Sequence, residues 1–439
     1  MSKKNSKDQR KKFFSHPKNK GKVFKRKDLN RDGGNLIRKR GNFSVLPTAG
    51  FKEIPRCSHG PCLLFGAKEN GVVKKRYFSC AVYRNDAESC DFKAEVSSEG
   101  EITAPEVKPS KEMKWNYSCI PKKLKTISKD SSLVFCRKCN DVFEKKHKCP
   151  SEIVTRKQLK NPSRFLEALD KQSGEAQYFF SSESLEVVLN MVDAAKVDGV
   201  ICVGSPRIFE ALRGRKEGKG QIFMLDIDRR YAHFYPSSQY AQYSMLVHHF
   251  YHNKAPERLA NFFSKCSSVL LVCDPPFGVF IEPLMDSLHK LEQMHAEARE
   301  GQVAKFLSAI LVPFFVGKHI LRLDSAFWMS DYRVTYENHK GFDKPNKTTV
   351  RIFTNLPTSA LDLSSVDGYK FCEVCERHVH DSNKHCYMCQ ICPSKDGSQM
   401  RHCERCSRCV KMSYKHCRDC SRCHLPGRCL PAGHHEEED

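Results

Sequence analysis

The chain has 439 residues, 74 Lys and Arg against 51 Asp and Glu for a formal net charge of +23, and 23 cysteines. That length allows two or three domains and one sizeable core, and so large a basic excess points to a polyanionic partner, most simply nucleic acid. No secretory leader opens the chain and no apolar run approaches a membrane span, so cysteines spaced Cys-x-x-Cys among histidines read as zinc thiolates and not as disulfides.

Residues 1–45 are dominated by Lys and Arg, with clusters at Arg10, Lys11 and Lys12, at Lys25, Arg26 and Lys27, and at Arg38, Lys39 and Arg40. They hold too few apolar residues for a core. The expectation is a disordered basic tail that serves nuclear or nucleolar targeting and RNA tethering; an inert solubilising tail is the alternative.

Over 50–96, Cys57, His59, Cys80 and Cys90 supply four soft or imidazole ligands in a short, loop-rich segment, suited to a closed tetrahedral Zn²⁺ site. The spacing resembles a GRF-type zinc finger, a module used on single-stranded nucleic acid, and its Cys-x-Cys/His first pair favours His59 over the nearby Cys62. Tyr77, Phe78 and Phe92 are candidates for base stacking, with packing round the zinc as the other role. Residues 97–130, with Pro105, Pro109 and Pro121, read as a linker. A second finger follows at 131–151, where Cys136 and Cys139 form a knuckle-like turn closed by His147 and Cys149.

Residues 155–360 carry the signals of an α/β domain. A helical approach is expected from Arg164, then a short strand-like entry through Gln177, Tyr178, Phe179 and Phe180, then a helix over Ser182–Ala195. Gly199–Val203 reads as a strand leading to a turn at Gly204 and a helix opened by Pro206, and Gln221–Asp226 reads as the next strand, ending in an acid. This is the order of parts in a nucleotide-binding βαβ unit. A single glycine in the turn suits S-adenosylmethionine better than a dinucleotide, whose pyrophosphate needs a richer glycine cradle. In this reading Arg207 pairs with the methionine carboxylate and Asp226 accepts from the ribose. Gln177 to Phe180 line the pocket or pack in the core, while Tyr240, Tyr243, Ser244 and Met245 flank the adenine. His233, His248, His249 and His252 lack neighbouring cysteines and read as ordinary polar groups.

An apolar run, Val269 to Val272, then predicts a strand buried on both faces and stopped by Asp274, Pro275, Pro276 and Phe277. A turn at the carboxyl end of a parallel strand lies where open α/β sheets bind ligands. Asp274 and the Pro275 carbonyl can accept from an exocyclic NH₂ while Phe277 stacks on the base. The plain alternative is a strand followed by a capped turn. The tetrapeptide resembles the Asp/Asn-Pro-Pro-Tyr/Phe motif of amino methyltransferases that modify adenine N6. Beyond it come a long helix over 281–299, a buried strand over 309–315, and an expected hairpin of 332–336 with 349–353. The connection 337–348, with Lys340, Lys344 and Lys347, is a candidate gate or substrate contact.

The last segment, 370–430, repeats a His-Cys-x-x-Cys-x-x-Cys unit: His385, Cys386, Cys389 and Cys392; His402, Cys403, Cys406 and Cys409; His416, Cys417, Cys420 and Cys423. Cys372 and Cys375 precede it, and His424 and Cys429 follow. These residues suit three or four zinc ions in a cross-linked array, with the partition of ligands left open. The stretch also looks like the cysteine-rich region of DHHC palmitoyltransferases, but Tyr414, Lys415, His416 and Cys417 stand where Asp-His-His-Cys would, and membrane spans are absent.

Together these parts resemble, over nearly the whole chain, the zinc-finger CCHC-domain ribosomal RNA adenine-N6 methyltransferases. The resemblance implies an α/β fold, a Rossmann-like class I methyltransferase domain flanked by small zinc-binding modules. It implies S-adenosylmethionine and several structural Zn²⁺ ions as cofactors, large-subunit rRNA as substrate, and ribosome-biogenesis or RNA-processing proteins as partners, with no membrane. The expected location is nucleus and nucleolus, with cytoplasm as well. A catalytically silent RNA-binding assembly factor and a DNA-directed adenine methyltransferase are the competing functions.

Overall fold

The computed structural model describes residues 43–82, 90–105, 115–144, 147–168, 177–215 and 220–429, so the tail expected over 1–42 lies outside the described residues. Residues 43–45, expected in that tail, instead belong to β1 (Phe43–Leu46), which pairs with β3 (Gly60–Glu69). With β2 (Arg56–Cys57), β4 (Val72–Cys80), β5 (Lys93–Val96) and β6 (Ile102–Thr103) they form one antiparallel sheet, so the first zinc module is larger than the 50–96 expected. Asn70 and Gly71, both at positive φ, make the two-residue turn between β3 and β4, the chemistry a type I′ hairpin demands. Phe78 and Phe92 are buried, and Tyr77 stacks on Phe65 at 5.6 Å, so these aromatics pack and do not stand free for bases.

The expected linker is structured in part, through β6 and α1 (Cys119–Thr126). The second module follows as β7 (Leu133–Cys136), β8 (Asp141–Phe143) and β9 (Ser151–Val154) in a three-stranded sheet. The helical approach expected from Arg164 is a 3₁₀ turn, Pro162–Arg164.

The central α/β domain is built on an eight-stranded mixed sheet. Its elements in chain order are α2 (Ser182–Ala195), β10 (Gly199–Val203), α3 (Pro206–Gly214), β11 (Gln221–Asp226), β12 (Tyr240–Ser244), β13 (His249–Phe250), α4 (Ala255–Phe263), β14 (Ser268–Cys273), α5 (Ile281–Ala298), β15 (Lys305–Pro313), α6 (Gly317–Leu323), β16 (Trp328–Met329) and β17 (Val350–Thr354). The strand order is β13-β12-β11-β10-β14-β15-β17-β16. β12, β11, β10, β14 and β15 run parallel, and β17 lies antiparallel between β15 and β16. The order reverses between β10 and β14, the crevice where doubly wound sheets bind ligands.

The hairpin expected from 332–336 and 349–353 does not form. Residues 332–336 run inward with Tyr332, Val334 and Tyr336 buried. The Val334 N–H still donates to Val350 O at 3.2 Å, but the Thr335 N–H donates to Ser184 Oγ at 2.9 Å in place of a ladder bond, and Tyr336 forms an isolated bridge with Phe180 instead of a strand with 349–353.

Alternation along the central strands builds a core on each face of the sheet. Val200, Cys202, Leu270 and Val272 face α2, α3 and the second zinc module, including Phe135 and Val142. Ile201, Val203, Val269, Leu271 and Cys273 face α4, α5 and the first module, including Leu64, Phe65 and Phe78. The C-terminal segment adds three hairpins, β18 (Tyr369–Cys372) with β19 (Arg377–His380), β20 (Met400–Cys403) with β21 (Arg408–Lys411), and β22 (Lys415–His416) with β23 (Cys423–His424). Among the described residues no helix is long and apolar enough to cross a membrane.

Because each zinc module completes one face of the core, a fragment of residues 155–360 exposes apolar surface on both sides. Scanning fluorimetry should show it melting on the order of 10 °C below the full chain, or aggregating on purification.

Candidate active site and zinc centres

The turns after β10 and β14 meet at the sheet's switch point. Gly204 has φ +62°, and a Cβ there would come within 2.9 Å of both the Asp274 carbonyl oxygen and the Met245 Cε. The Asp274 N–H donates to Val203 O at 3.0 Å and the Gly204 N–H to Leu225 O at 2.9 Å, which locks three strand ends together. Around them opens a cleft of about 760 Å³, mouth included, lined by Gln177, Tyr178, Phe179, Gly204, Asp226, Ser244, Met245, Asp274, Pro275, Pro276 and Phe277.

Asp226, 4% exposed at the end of β11, accepts from the Asp228 N–H at 2.8 Å. Gln177 Nε2 donates to Asp228 Oδ2 at 3.0 Å, which ties the entry segment to the same wall. Burial drives the Asp274 carboxyl well above the usual carboxylate pKa, and the Tyr336 hydroxyl, donating to Oδ1 at 2.8 Å, pulls it back. Burial and that carboxylate together keep the Tyr336 phenol protonated far beyond its ordinary range. Phe277 stacks on Tyr178 at 5.0 Å and meets Tyr336, His339 and Phe342 edge-on. Part of the connection 337–348 thus packs directly against Phe277.

Three expected site residues lie elsewhere. Arg207 does not line the cleft: its guanidinium is paired with Glu337 at 2.6 Å, donates to Phe180 O at 3.0 Å and stacks on Phe179. Phe180 is buried against Tyr336 at 5.1 Å, and Tyr240 turns its hydroxyl to Asp228 O at 2.8 Å, so both serve the wall from behind. Conversely, Val82, Ile227, Leu246 and Tyr336 line the cleft without having been singled out.

The cysteines and histidines gather into tetrads. Five sets bring their donor atoms within 4.8 Å of one another: Cys57, His59, Cys80 and Cys90; Cys136, Cys139, His147 and Cys149; Cys372, Cys375, His385 and Cys392; Cys386, Cys389, His402 and Cys409; Cys403, Cys406, His416 and Cys423. A thiolate tetrahedron about Zn²⁺ spaces its sulfurs about 3.8 Å apart. The Cys375–Cys392, Cys389–Cys409 and Cys406–Cys423 separations are 3.8, 3.6 and 3.7 Å. In a further set Cys417 and Cys429 are 3.7 Å apart, and His424 lies against the Cys417 and Cys420 thiols. The His424 Nδ1 is 2.7 Å from Leu425 O, while its Nε2 is buried with no hydrogen-bond partner. That leaves the Nε2 lone pair for a metal. The donor sets therefore fit zinc, and they interleave: each repeat sends its first two cysteines forward and its histidine and last cysteine backward.

The comparisons agree with this chemistry. Residues 171–344 match the family model described as Probable N6-adenine methyltransferase. Relatives named rRNA N(6)-adenosine-methyltransferase ZCCHC4 include that of Mus musculus, 33% identical over 392 residues, covering 82% of this chain and 75% of that protein. Those of Homo sapiens and Xenopus tropicalis are 32% identical over 371 residues and 33% over 357, covering 72% and 73% of those proteins. The chain belongs to the ZCCHC4 family of N6-adenosine methyltransferases. S-adenosylmethionine is accordingly its methyl donor, and structural zinc its metal.

Of the residues that sequence reasoning missed, Tyr336 stands 62 positions beyond Asp274 with no motif to mark it. Val82 could be suspected only from its place two residues after Cys80.

Native mass spectrometry should find six zinc ions per chain. Since each donor serves a single tetrad, Cys386→Ser should release one ion and retain the others, with a lowered melting temperature.

Proposed function

We propose that the chain transfers a methyl group from S-adenosylmethionine to N6 of an adenosine in ribosomal RNA, most simply of the large subunit. The observation that carries this reading is the convergence of Gly204, Asp226 and the Asp274–Phe277 turn on one cleft. The rRNA substrate rests on the activity for which the relatives are named and on the basic excess of the chain. The same grounds, with the Lys- and Arg-rich start of the chain, favour the nucleolus and nucleus with some cytoplasmic protein, and ribosome-biogenesis factors as neighbours.

Bound S-adenosylmethionine supplies an electrophilic sulfonium methyl group. Asp226 would hold the ribose hydroxyls of that donor, and Gly204 would let it approach the backbone. A target adenosine, turned out of its stack, presents its amino group to two acceptors, the free Oδ2 of Asp274 and the Pro275 carbonyl. Both accept from N6–H bonds, which aims the nitrogen lone pair at the methyl carbon. As the N6–C bond forms, the S–C bond would break with its electron pair staying on sulfur, leaving the neutral thioether S-adenosylhomocysteine, and the proton of the cationic nitrogen would pass to solvent. No strong base is needed; orientation is the main contribution. Tyr336 holds the other carboxylate oxygen.

Asp274→Ala should keep the fold and zinc content while lowering methyl transfer to rRNA on the order of 100-fold, the cost of a charge-assisted hydrogen bond in the transition state. Radiolabel transfer from S-adenosylmethionine to rRNA and to a matched DNA is the assay. Unchanged activity would reject the assignment, and a wild-type chain without transfer would leave an RNA-binding factor.

The pH profile follows from the raised Asp274 pKa. The carboxyl must be ionised to accept twice, so kcat/KM should fall as pH falls through a pKa above the usual carboxylate range. Tyr336→Phe removes the bond that lowers this pKa, and should move the acid limb to higher pH; Asp274→Asn should flatten it. For stability the sign is reversed. A carboxyl whose folded pKa exceeds its unfolded value contributes stability only while protonated, and that is lost as pH rises through the folded pKa. Asp274→Asn should therefore melt no lower than wild type at neutral pH.

A further inference from the structure

The first zinc module reaches into the cleft. Val82, 6% exposed, follows Cys80 by two residues and lines the same cavity as Gly204, Asp226, Leu246 and Asp274. The side chains just before it, Cys80 and Ala81, are buried in a core shared with Ile201, Val203 and Leu271 of the central sheet. Val82 is thus delivered by a backbone fixed at one end by a zinc ligand and packed against the sheet that carries the cofactor turn.

The module also grips both rims of the cleft. On one side the Tyr251 hydroxyl donates to the carbonyl of the ligand residue His59 at 2.7 Å, and Arg56 lies 3.3 Å from His249. Gly60, at φ +115°, packs so close that a Cβ would come within 3.1 Å of the His249 ring. These contacts hold the segment that follows Ser244, Met245 and Leu246. On the other side Phe43 and Phe65 pack edge-on against Phe280 at 6.2 and 5.7 Å, three residues beyond Phe277. The module therefore spans the carboxyl edge of the sheet, from the wall beyond β12 to the end of the catalytic turn, and sets the distance between them.

We infer that the first zinc module is a working wall of the S-adenosylmethionine site, with Val82 as an affinity-determining residue, and not solely a nucleic-acid binding finger. The inference rests on the cleft being the methyl-donor site. Two consequences separate it from a module devoted to RNA. Donor affinity depends on Val82 in the absence of any RNA, and a larger side chain at that position competes with the donor for the cleft.

The test is calorimetric titration of the full-length protein with S-adenosylmethionine, without RNA, alongside zinc analysis and a melting curve. Val82→Trp should weaken binding about tenfold or more, by filling the cleft, and Val82→Ala about threefold to tenfold, by removing apolar contact. Both should retain the wild-type zinc content. If Val82→Trp folds and binds the donor as wild type does, the inference is overturned. Should it lose zinc or melt early, Val82→Ala decides on the same reading, and wild-type affinity there overturns it equally. A wild-type chain that binds no donor would instead remove the methyltransferase reading of the cleft.

Discussion

The closeness of two backbone turns at the sheet's switch point governs the rest. With Gly204 packed on the Asp274 carbonyl and on Met245, there is no room for a side chain, and the positive φ suits glycine on its own account. The turns after β10 and β14, proposed above to take the donor and the base, are consequently held at van der Waals separation by strands hydrogen-bonded to one another along their length. A reaction that relies on orientation more than on a strong base needs such a fixed distance. A buried parallel sheet provides it more rigidly than loops alone can.

Rigidity at that edge has to be supplied from both faces, and the small modules do so with little core of their own. Each is a small sheet beside a set of cysteines and histidines, six-stranded in the first module and three-stranded in the second, with a limited apolar core to itself. Zinc organises them locally, and their apolar faces then complete the two cores of the catalytic domain. The C-terminal array follows a different logic. Its ligands interleave, so every metal joins neighbouring repeats and the hairpins are linked in sequence like the units of a solenoid.

The legibility of these features in the sequence tracks how local they are. The α/β character, the strands at Gly199–Val203, Gln221–Asp226 and Ser268–Cys273, and the gathering of Gly204, Asp226 and Asp274 at their ends follow from short apolar runs and turn residues. Zinc ligands were legible for the same reason, since Cys-x-x-Cys is a local geometry. Partition of the C-terminal ligands was not, because it depends on which hairpin faces which. Arg207 was misplaced because Glu337, 130 residues away, takes its charge. Val82 and Tyr336 escaped notice because their roles arise from packing between distant segments, which periodicity does not encode. Residues 332–336 have the alternation of a strand, but their backbone bonds scatter to Tyr369, Val350, Ser181, Ser184 and Phe342 instead of following one ladder, and period-two patterning gives no warning of that.

That same segment connects Asp274 to the zinc array. At one end Asp331, 5% exposed, accepts from the His380 N–H at 3.1 Å and from Asn383 Nδ2 at 2.7 Å, both in the first C-terminal zinc hairpin and its following turn. In the middle, Thr335 is held by Ser181 and Ser184 at the start of α2. At the far end Tyr336 meets Asp274. A carboxylate that is costly to ionise needs a donor whose position is not left to a mobile loop. Anchoring that donor between a metal-stapled hairpin and a capped helix meets the need, and it gives the C-terminal array a structural part in the active site whatever it contacts in RNA.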